Sequence, residues 1–308
     1  MWAGECNIIQ LDNLTPIKKG KVRDLYTLGD NLLIVSSDRI SAFDVNSVTE
    51  IEGKGRSLNS LSAWWFKKTE NIFPNHFLEV LNSSKMKVKK AERIDVEWVM
   101  RGYLYGSMYR DYAKGKRELY GYKLPTGLNL AEKLPEVMLT PTTKADVGHD
   151  MPLTKKQAID TRLLTQDEWK ILEEASFKLY NSYANIANEK GIIIPDFKLE
   201  FGRCNKGLIQ IDEAPTHDSA RIWVKQHYQI GKRQEAWCLD KEFYRQFLID
   251  TGTDPNNPPN PLLEIPRLCV AEIQKRLAVD EVFAGNKSIE SLQLRSLEDV
   301  EKELTIKR

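Results

Sequence analysis

A charged hairpin in the second half of the chain constrains the fold most. Between residues 191 and 223, charged residues alternate with apolar ones, which is the two-residue period of a β-strand. The charged set is Asp196, Lys198 and Glu200, and the apolar set is Phe197, Leu199 and Phe201. A turn signal follows at residues 204–207, and residues 208–212 alternate again. The stretch therefore predicts an antiparallel hairpin.

The expected register gathers charge on one face of this hairpin. If the turn centres near Asn205, Gln210 lies opposite Glu200 and Asp212 lies opposite Lys198. Carboxylates crowded on one face are costly to bury unless a cation binds there. A divalent metal with a nucleotide phosphate suits them, because Mg²⁺ favours a few carboxylates plus phosphate oxygens. The alternative is a solvated outer face, on which alternating polar residues are ordinary.

The N-terminal part of the chain predicts a second hairpin with a basic edge. Alternating residues from Val22 to Tyr26 lead through a turn signal at residues 29–31 into an apolar strand. Gly20 lies between lysines, and such an edge can approach triphosphate oxygens through backbone N–H groups and the Lys21 side chain. One glycine is a weak signal, so an ordinary exposed hairpin remains the alternative.

An arginine and a serine mark a third segment. Residues 94–103 alternate as a strand that ends near Arg101, and a helix is expected to begin at residue 106 with Ser107 in its first turn. A serine and backbone amides at a helix start, with an arginine close by, favour a phosphate. A capped helix with a surface arginine is the alternative.

Composition excludes several classes of protein. The 308 residues suit two subdomains, or one large domain with insertions. Lys and Arg number 45 against 44 Asp and Glu, which gives no global argument for binding nucleic acid or an anionic membrane. The four cysteines lack a CxxC pair and predict neither a zinc site nor a disulfide framework. Without a signal-peptide pattern or a bilayer-spanning apolar run, we expect a cytoplasmic protein that binds neither nucleic acid nor membranes.

The charged segments together favour phosphoryl chemistry. Both hairpins, with the clusters at residues 101–107 and 218–221, would clamp a nucleotide and a second anion. The sequence contains no GxxxxGK[ST] and no GxGxxG, which argues against a P-loop enzyme and a protein kinase. A nucleotide-dependent enzyme is favoured, while a small-molecule kinase and a non-catalytic nucleotide-binding regulator stay open.

Several segments also resemble a known family, in the same order along the chain. They are GKVRDLY, SDRISAFD, GKG, EWVMRGYLYGS, TPTTK, DFKLEFG, IDEAPTHDSARIW and DKEFYRQFL. This set is similar to the SAICAR synthetase family of purine biosynthesis and spans residues 15–250. The motifs are collinear and several residues long, which makes the resemblance more specific than any single short pattern.

The resemblance implies an ATP-dependent ligase. ATP would phosphorylate the imidazole carboxylate of CAIR, and the amine of L-aspartate would attack the acyl phosphate, giving SAICAR, ADP and phosphate. The implied cofactors are ATP and Mg²⁺, and the implied partners are the small-molecule substrates CAIR and L-aspartate. The oligomeric state is not determined by the sequence.

The resemblance also implies roles for individual residues. The residues expected to bind ATP are Gly20, Lys21, Arg23 and Glu97. Those expected to hold Mg²⁺ are Glu200 and Asp212, and the catalytic pair is Lys198, which would neutralise the transferring phosphoryl group, and Asp196. The expected grip on the CAIR 5′-phosphate comes from Arg101, Ser107 and Arg221, with Asp218 and Ser219 beside them. Further candidates for substrate binding are Arg39, Ser41, Asp44, Lys144 and, most loosely, His149.

Three positions depart from the family pattern. Phe197 stands where a threonine is common, His217 replaces a proline, and Ala220 replaces a serine. Every charged member of these motifs is kept, so we expect activity. The missing hydroxyl at Ala220 is expected to weaken substrate affinity or to signal a related substrate.

The expected fold is α+β, with the two lobes of a SAICAR synthetase-like fold. Residues 1–95 would form an N-terminal, largely antiparallel sheet lobe that covers ATP. Residues 96–308 would form a larger α+β lobe with the substrate site, the metal site and the C-terminal helices. The two-lobed arrangement, with ATP in the cleft, is implied by the resemblance, whereas the residue patterns support the early strands and later helices.

Overall fold

The computed structural model describes residues 15–144 and 151–306. Its strands are β1 (Lys18–Lys19), β2 (Arg23–Leu28), β3 (Asn31–Ser36), β4 (Arg39–Ala42), β5 (Val45–Glu50), β6 (Phe77–Asn82), β7 (Lys85–Lys89), β8 (Glu92–Arg93), β9 (Val96–Tyr103), β10 (Glu118–Leu119), β11 (Tyr122–Lys123), β12 (Lys133–Leu139), β13 (Thr142–Thr143), β14 (Ile192–Ile193), β15 (Asp196–Cys204), β16 (Gly207–Ile211) and β17 (Trp223–Val224). Its α-helices are α1 (Lys54–Thr69), α2 (Gly106–Ala113), α3 (Lys155–Asp160), α4 (Gln166–Glu189), α5 (Glu242–Asp250), α6 (Arg267–Leu277), α7 (Val279–Ala284) and α8 (Leu297–Ile306).

The first sheet has the order β1-β2-β3-β7-β6, with each neighbouring pair antiparallel. Strands β2 and β3 are joined by a two-residue turn, in which Gly29 has a φ of 59° that glycine adopts without steric cost. The predicted N-terminal hairpin is therefore confirmed. Ile34 of β3 is buried in the same apolar cluster as Leu61 and Trp65 of α1, so this helix packs on the sheet.

The second sheet has the order β12-β9-β15-β16, and β13 and β8 pair with β9 and β15. Its central strand β15 has a two-residue period, as predicted: Phe197, Leu199 and Phe201 are buried in the apolar core. Because alternate side chains of a strand point to opposite faces, the charged residues of β15 lie together on the other face.

The register within the β15–β16 hairpin differs from the prediction by one residue. Glu200 pairs with Ile211, and Gln210 pairs with Phe201 instead of Glu200. The reason is that residues 205 and 206 share the turn, so its centre lies between them. Gln210 consequently points to the buried face, where its Oε1 accepts a hydrogen bond from the Tyr183 hydroxyl at 3.2 Å.

Helix α4 packs under the second sheet. It begins at a capping box, since the Thr165 side chain accepts from the Glu168 amide and the Glu168 side chain accepts from the Thr165 amide. Its apolar stripe is buried with residues of β9, β15 and α1, so the largest core runs from the first sheet through α1 to the second sheet. The members of this stripe are Trp169, Leu172, Leu179 and Tyr183.

The C-terminal helices form a second core with the β4–β5 hairpin. Ile40 and Ile51 share this cluster with Phe243, Phe247, Cys269 and Ile273. Within residues 15–144 and 151–306, no helix is both long enough and apolar enough to cross a membrane. The predicted α+β class is confirmed, whereas the division at residue 95 stays a prediction; β8, just before that point, pairs with the second sheet.

Candidate functional site

Strands β9 and β15 place the charged residues of the site side by side. In their antiparallel register Asp196 pairs with Arg101, and Lys198 pairs with Val99. Residues on the same face of β9 alternate, so Glu97 lies diagonally across from Lys198. The Lys198 Nζ is 2.5 Å from the Glu97 Oε2, and half of the Lys198 side chain is exposed to solvent. The structure therefore brings the predicted catalytic lysine together with the predicted nucleotide-binding glutamate.

Glu200 and Asp212 form the centre of the charged face. Burial and the nearby Asp212 charge raise the pKa of Glu200 to about 7, although Lys144 opposes this shift. Burial would also raise the pKa of Asp212, but the charges of Arg23 and Lys144 outweigh burial and lower it. The two carboxylates thus lie close enough to affect each other's ionisation, which is the proximity that the sequence predicted for these residues.

Each of these carboxylates is in contact with a cation. The Lys144 Nζ forms a close ion pair with Glu200 and lies 4.0 Å from a Glu97 oxygen. The Arg23 Nη2 lies 3.1 Å from the Asp212 Oδ2 and donates a 2.7 Å hydrogen bond to Glu213. Lys144 therefore lies beside the candidate metal carboxylates, whereas the resemblance gave it only as a further candidate for substrate binding.

Few protein side chains in this site could coordinate a metal ion. Within the two described ranges of the chain, no group of three or more His, Cys, Asp and Glu side chains is arranged to hold a metal ion. The neighbouring pair Glu200 and Asp212 still fits Mg²⁺, because this ion commonly takes one or two protein carboxylates and completes its coordination with phosphate oxygens and water.

The basic edge of the first sheet reaches this centre through Arg23. Gly20 precedes it in a tight bend: a Cβ atom at position 20 would lie 2.5 Å from the Arg23 carbonyl oxygen, so only glycine fits. Lys21 lies on the exposed part of the same bend and pairs with the Asp44 carboxylate. The structure thus places Arg23 beside Asp212, with Gly20 in the bend that precedes it, and leaves Lys21 at the solvent edge.

Arg39 holds the bend at residues 20–24. Its guanidinium donates to the backbone oxygens of Lys21 and Gly20 at 3.0 and 3.2 Å, and to the Asp24 carboxylate at 2.7 and 3.2 Å. The structure therefore gives Arg39 intramolecular partners on the basic edge. Ser41 is buried in the β4–β5 hairpin, opposite Asn46.

A second cluster of charge lies at the start of β15. Arg221 donates two hydrogen bonds to Asp196, at 3.0 and 2.8 Å. Arg101 is 3.7 Å from the same carboxylate and donates to the Thr140 hydroxyl at 2.9 Å and to Ser107 at 3.5 Å. Burial alone would lower the pKa of Arg221, but Asp196 and Glu242 outweigh it and raise the pKa. Two arginines and a helix-start serine thus converge, as the sequence predicted for a phosphate site.

Backbone shape also brings the Arg221 guanidinium close to the start of α2. Gly106 has a φ of 57°, and a Cβ atom there would lie 2.9 Å from the Arg221 Nη2. A side chain at this position would therefore be both strained and in collision with the guanidinium.

Asp218 and Ser219 have partners within the loop that follows β16. The Asp218 carboxylate lies 3.1 Å from the Lys54 Nζ and 3.4 Å from the Lys241 Nζ, and these charges lower its pKa against the effect of burial. The Ser219 Oγ accepts from the Thr216 amide at 3.1 Å and donates to the Ala214 carbonyl at 3.2 Å.

Sequence reasoning missed several residues that surround the site. They are Lys54, Thr140, Glu213 and Lys241. Lys54 belongs to the GKG motif, yet no local pattern shows that a lysine between two glycines is 1% exposed. Its burial depends on residues more than 150 positions away, which only the folded chain brings near. His149 lies outside the described residues.

The three departures from the family pattern lie in packed positions. Phe197 is 1% exposed, stacks on Tyr180 with ring centroids 5.5 Å apart, and meets Tyr183 edge-on at 5.3 Å. His217 and Ala220 are also buried. Burial and the neighbouring Lys54 lower the pKa of His217 to about 3, so its ring is neutral. None of these three side chains replaces a charged member of the site.

Comparison with known proteins identifies a family. The model of the SAICAR synthetase family matches residues 16–260. The phosphoribosylaminoimidazole-succinocarboxamide synthase of Thermodesulfovibrio yellowstonii is 41% identical over 275 residues, covering 83% of this chain and 92% of the relative. The same enzyme of Geobacter sulfurreducens is 40% identical over 261 residues, covering 79% and 86%.

Solved structures are similar over most of the fold. The SAICAR synthase of Saccharomyces cerevisiae, complexed with SAICAR, is 32% identical with a TM-score of 0.79, covering 90% of this chain and 97% of that one. A SAICAR synthetase in complex with ADP is 26% identical with a TM-score of 0.64, covering 85% and 97%. The resemblance drawn from the motifs is confirmed, and the chain belongs to the SAICAR synthetase family.

Proposed function

We propose that the protein joins L-aspartate to the carboxylate of CAIR in an ATP-dependent reaction of purine biosynthesis. ATP phosphorylates the CAIR carboxylate, the aspartate amine attacks the acyl phosphate, and the products are SAICAR, ADP and phosphate. Membership of the family supports this activity, since its relatives carry the name of this synthase.

The observation that carries the proposal is the placement of two charged centres on one strand face. Asp196, with Arg221 and Arg101, lies at the start of β15, and Glu200 lies four residues further along. At about 3.3 Å per residue the centres are about 13 Å apart. A substrate with a phosphate at one end and a carboxylate at the other can extend from the arginines toward Glu200 and Lys198.

Each centre has a proposed role. Arg101, Arg221 and Ser107 bind the CAIR 5′-phosphate, because guanidinium groups match phosphate geometry in a bidentate manner. Asp196 fixes Arg221 through two hydrogen bonds and lies 3.7 Å from Arg101. Lys198 reaches solvent beside Glu97 and neutralises the phosphoryl group as it moves to the CAIR carboxylate.

The nucleotide lies against the basic edge of the first sheet in this proposal. Gly20, Lys21 and Arg23 bind its phosphates, and Glu97, which contacts Lys198, also binds the nucleotide. Glu200 and Asp212 hold Mg²⁺, which when bound spreads the negative charge of the transferring phosphoryl group. Asp44 and Ser41 are further candidates for the L-aspartate or ATP pocket, and Asp218 and Ser219 are candidates for binding CAIR.

A coupled assay of ADP release tests the activity. ADP release by the full-length protein should require ATP, CAIR and L-aspartate together, and omission of each in turn should reduce it to background. A small-molecule kinase would release ADP with CAIR alone and show no aspartate dependence. Aspartate-independent ADP release would therefore exclude the ligase.

A substitution tests the metal carboxylates. Asp212→Asn should reduce turnover by at least about 10²-fold while CAIR affinity stays within about twofold, because the phosphate cluster at Arg221 is untouched. Asp254→Asn, at an exposed position between α5 and α6, is the matched control. Wild-type turnover in Asp212→Asn would remove this residue from the metal site.

CAIR and L-aspartate are the proposed small-molecule partners, and a cytoplasmic location without nucleic-acid or membrane binding fits a biosynthetic enzyme. The oligomeric state is left open.

A further inference from the structure

Lys144 and a metal ion would need the same carboxylate. Glu200 is 7% exposed, and its Oε1 is the atom that Lys144 contacts. A buried oxygen with a lysine ammonium against it has little room for a divalent cation, and two positive groups at one oxygen repel each other. The contact seen here and coordination of a metal by Glu200 therefore compete.

Asp212, like Glu200, has a cation against the oxygen that would bind a metal. The Arg23 guanidinium faces one of its oxygens; the guanidinium is mostly shielded from water, and the Asp212 side chain is 38% exposed. Across the site, the four carboxylates of Glu97, Glu200, Asp212 and Glu213 face the three cations Arg23, Lys144 and Lys198. The negative charge of the site is thus almost balanced by these three cations, so little uncompensated negative charge attracts a free metal ion.

Lys144 and Arg23 each have a second carboxylate partner. Lys144 lies 4.0 Å from Glu97, and Arg23 is anchored to Glu213 at 2.7 Å. Either cation can release its metal-binding carboxylate without leaving a buried charge unpaired, which would be costly. Phosphate oxygens brought by a nucleotide would offer both cations a further anionic partner.

We infer that Lys144 competes with divalent metal for Glu200, so that metal binds tightly only together with nucleotide phosphates. Lys144 is then a positioning residue that couples metal binding to nucleotide binding. The inference rests on the proposed function only in assigning Glu200 and Asp212 to the metal.

Titration with Mn²⁺ tests this coupling without any substrate. Free Mn²⁺ is followed by its electron paramagnetic resonance signal, with full-length protein at pH about 8 and no nucleotide. Lys144→Met should bind Mn²⁺ at least about tenfold more tightly than wild type, equivalent to about 1.4 kcal/mol. Lys144→Arg, which keeps the charge, should stay within about threefold of wild type.

Two control variants test whether the gain in Mn²⁺ affinity arises at Glu200. Lys287→Met removes a lysine that pairs with Glu281 at 2.9 Å, away from the site, and should leave the Mn²⁺ affinity unchanged. Combining Lys144→Met with Glu200→Gln should abolish the gain, because the competed oxygen is lost. Lys144→Gln is the second variant if circular dichroism shows that Lys144→Met does not fold.

The outcomes are separable from those of the ligase assay. Unchanged or weaker Mn²⁺ binding by the folded Lys144 variants overturns the inference, and so does a gain that survives Glu200→Gln. Both results can occur whether or not ADP release depends on aspartate, so failure of the coupling and failure of the proposed function are distinguished.

Discussion

Glu200 is predicted to lower the stability of the protein at neutral pH. Its pKa is raised from 4.5 to about 7 by burial and by the Asp212 charge. When the folded pKa of a carboxyl exceeds the unfolded pKa, its favourable contribution is present at low pH and is lost as the pH rises from about 4.5 to about 7. The folded and unfolded pKa values differ by about 2.5, which corresponds to a loss of about 3 kcal/mol in the free energy of unfolding above pH 7.

Glu200→Gln removes this ionisation and nearly preserves shape. A buried amide that replaces the ion pair with Lys144 costs about 1–2 kcal/mol, so the variant should be more stable than wild type by about 1–2 kcal/mol at pH 8. At pH 5 the Glu200 carboxyl is mostly protonated in the folded protein, and the variant should be equally stable or slightly less stable. The effect of the substitution should therefore differ by about 2–3 kcal/mol between the two pH values.

Urea denaturation followed by tryptophan fluorescence measures this difference, in buffer with a chelator and no nucleotide. Glu136→Gln, at an exposed position of β12, is the control and should have the same small effect at both pH values. The same Glu200 variant should lose ligase activity, which would show a stability cost retained for function. An effect of Glu200→Gln that is identical at pH 5 and pH 8 would refute the buried-pair reasoning.

Three further substitutions separate binding from stability. Arg39→Met should weaken ADP binding about five- to tenfold in calorimetry, because it frees the bend at residues 20–24; unchanged affinity would contradict this bracing role. Arg276→Met should cost about 2–4 kcal/mol in urea denaturation, since it removes the buried guanidinium that pairs with Glu272 and donates to the Cys238 and Arg295 carbonyl oxygens; a loss below about 1 kcal/mol would count against it. Phe197→Thr should cost about 3–4 kcal/mol with CAIR affinity unchanged, because the ring lies in the core; a large change in CAIR affinity would argue otherwise.

Local patterns predicted the elements that carry the site. The two-residue period predicted β15, and the turn signals predicted both hairpins. These predictions succeed because each depends on residues a few positions apart. The family motifs then assigned roles to residues such as Arg101 and Arg221, which the structure places around the Asp196 carboxylate.

Contacts between distant segments could not be predicted in this way. The pairing of Arg39 with Asp24 and the burial of Lys54 against Asp218 depend on how the first sheet, α1 and the loop after β16 pack together. The sequence shows these residues as charged and therefore as expected surface groups. Only the tertiary structure shows that their charges are compensated by partners within the protein.

Asp212 lies near Glu200, as predicted, although the predicted register was wrong. The predicted register placed it on the Glu200 face by strand alternation, whereas in the observed register Ile211 pairs with Glu200. A strand that continued would therefore turn Asp212 to the buried face, beside Gln210. Instead β16 ends at Ile211, and Asp212 has a φ of 66°, a left-handed conformation that aspartate tolerates better than most residues. This single backbone change returns its carboxylate to Arg23 and Glu200, so the candidate metal site depends on the end of the strand as much as on the charges themselves.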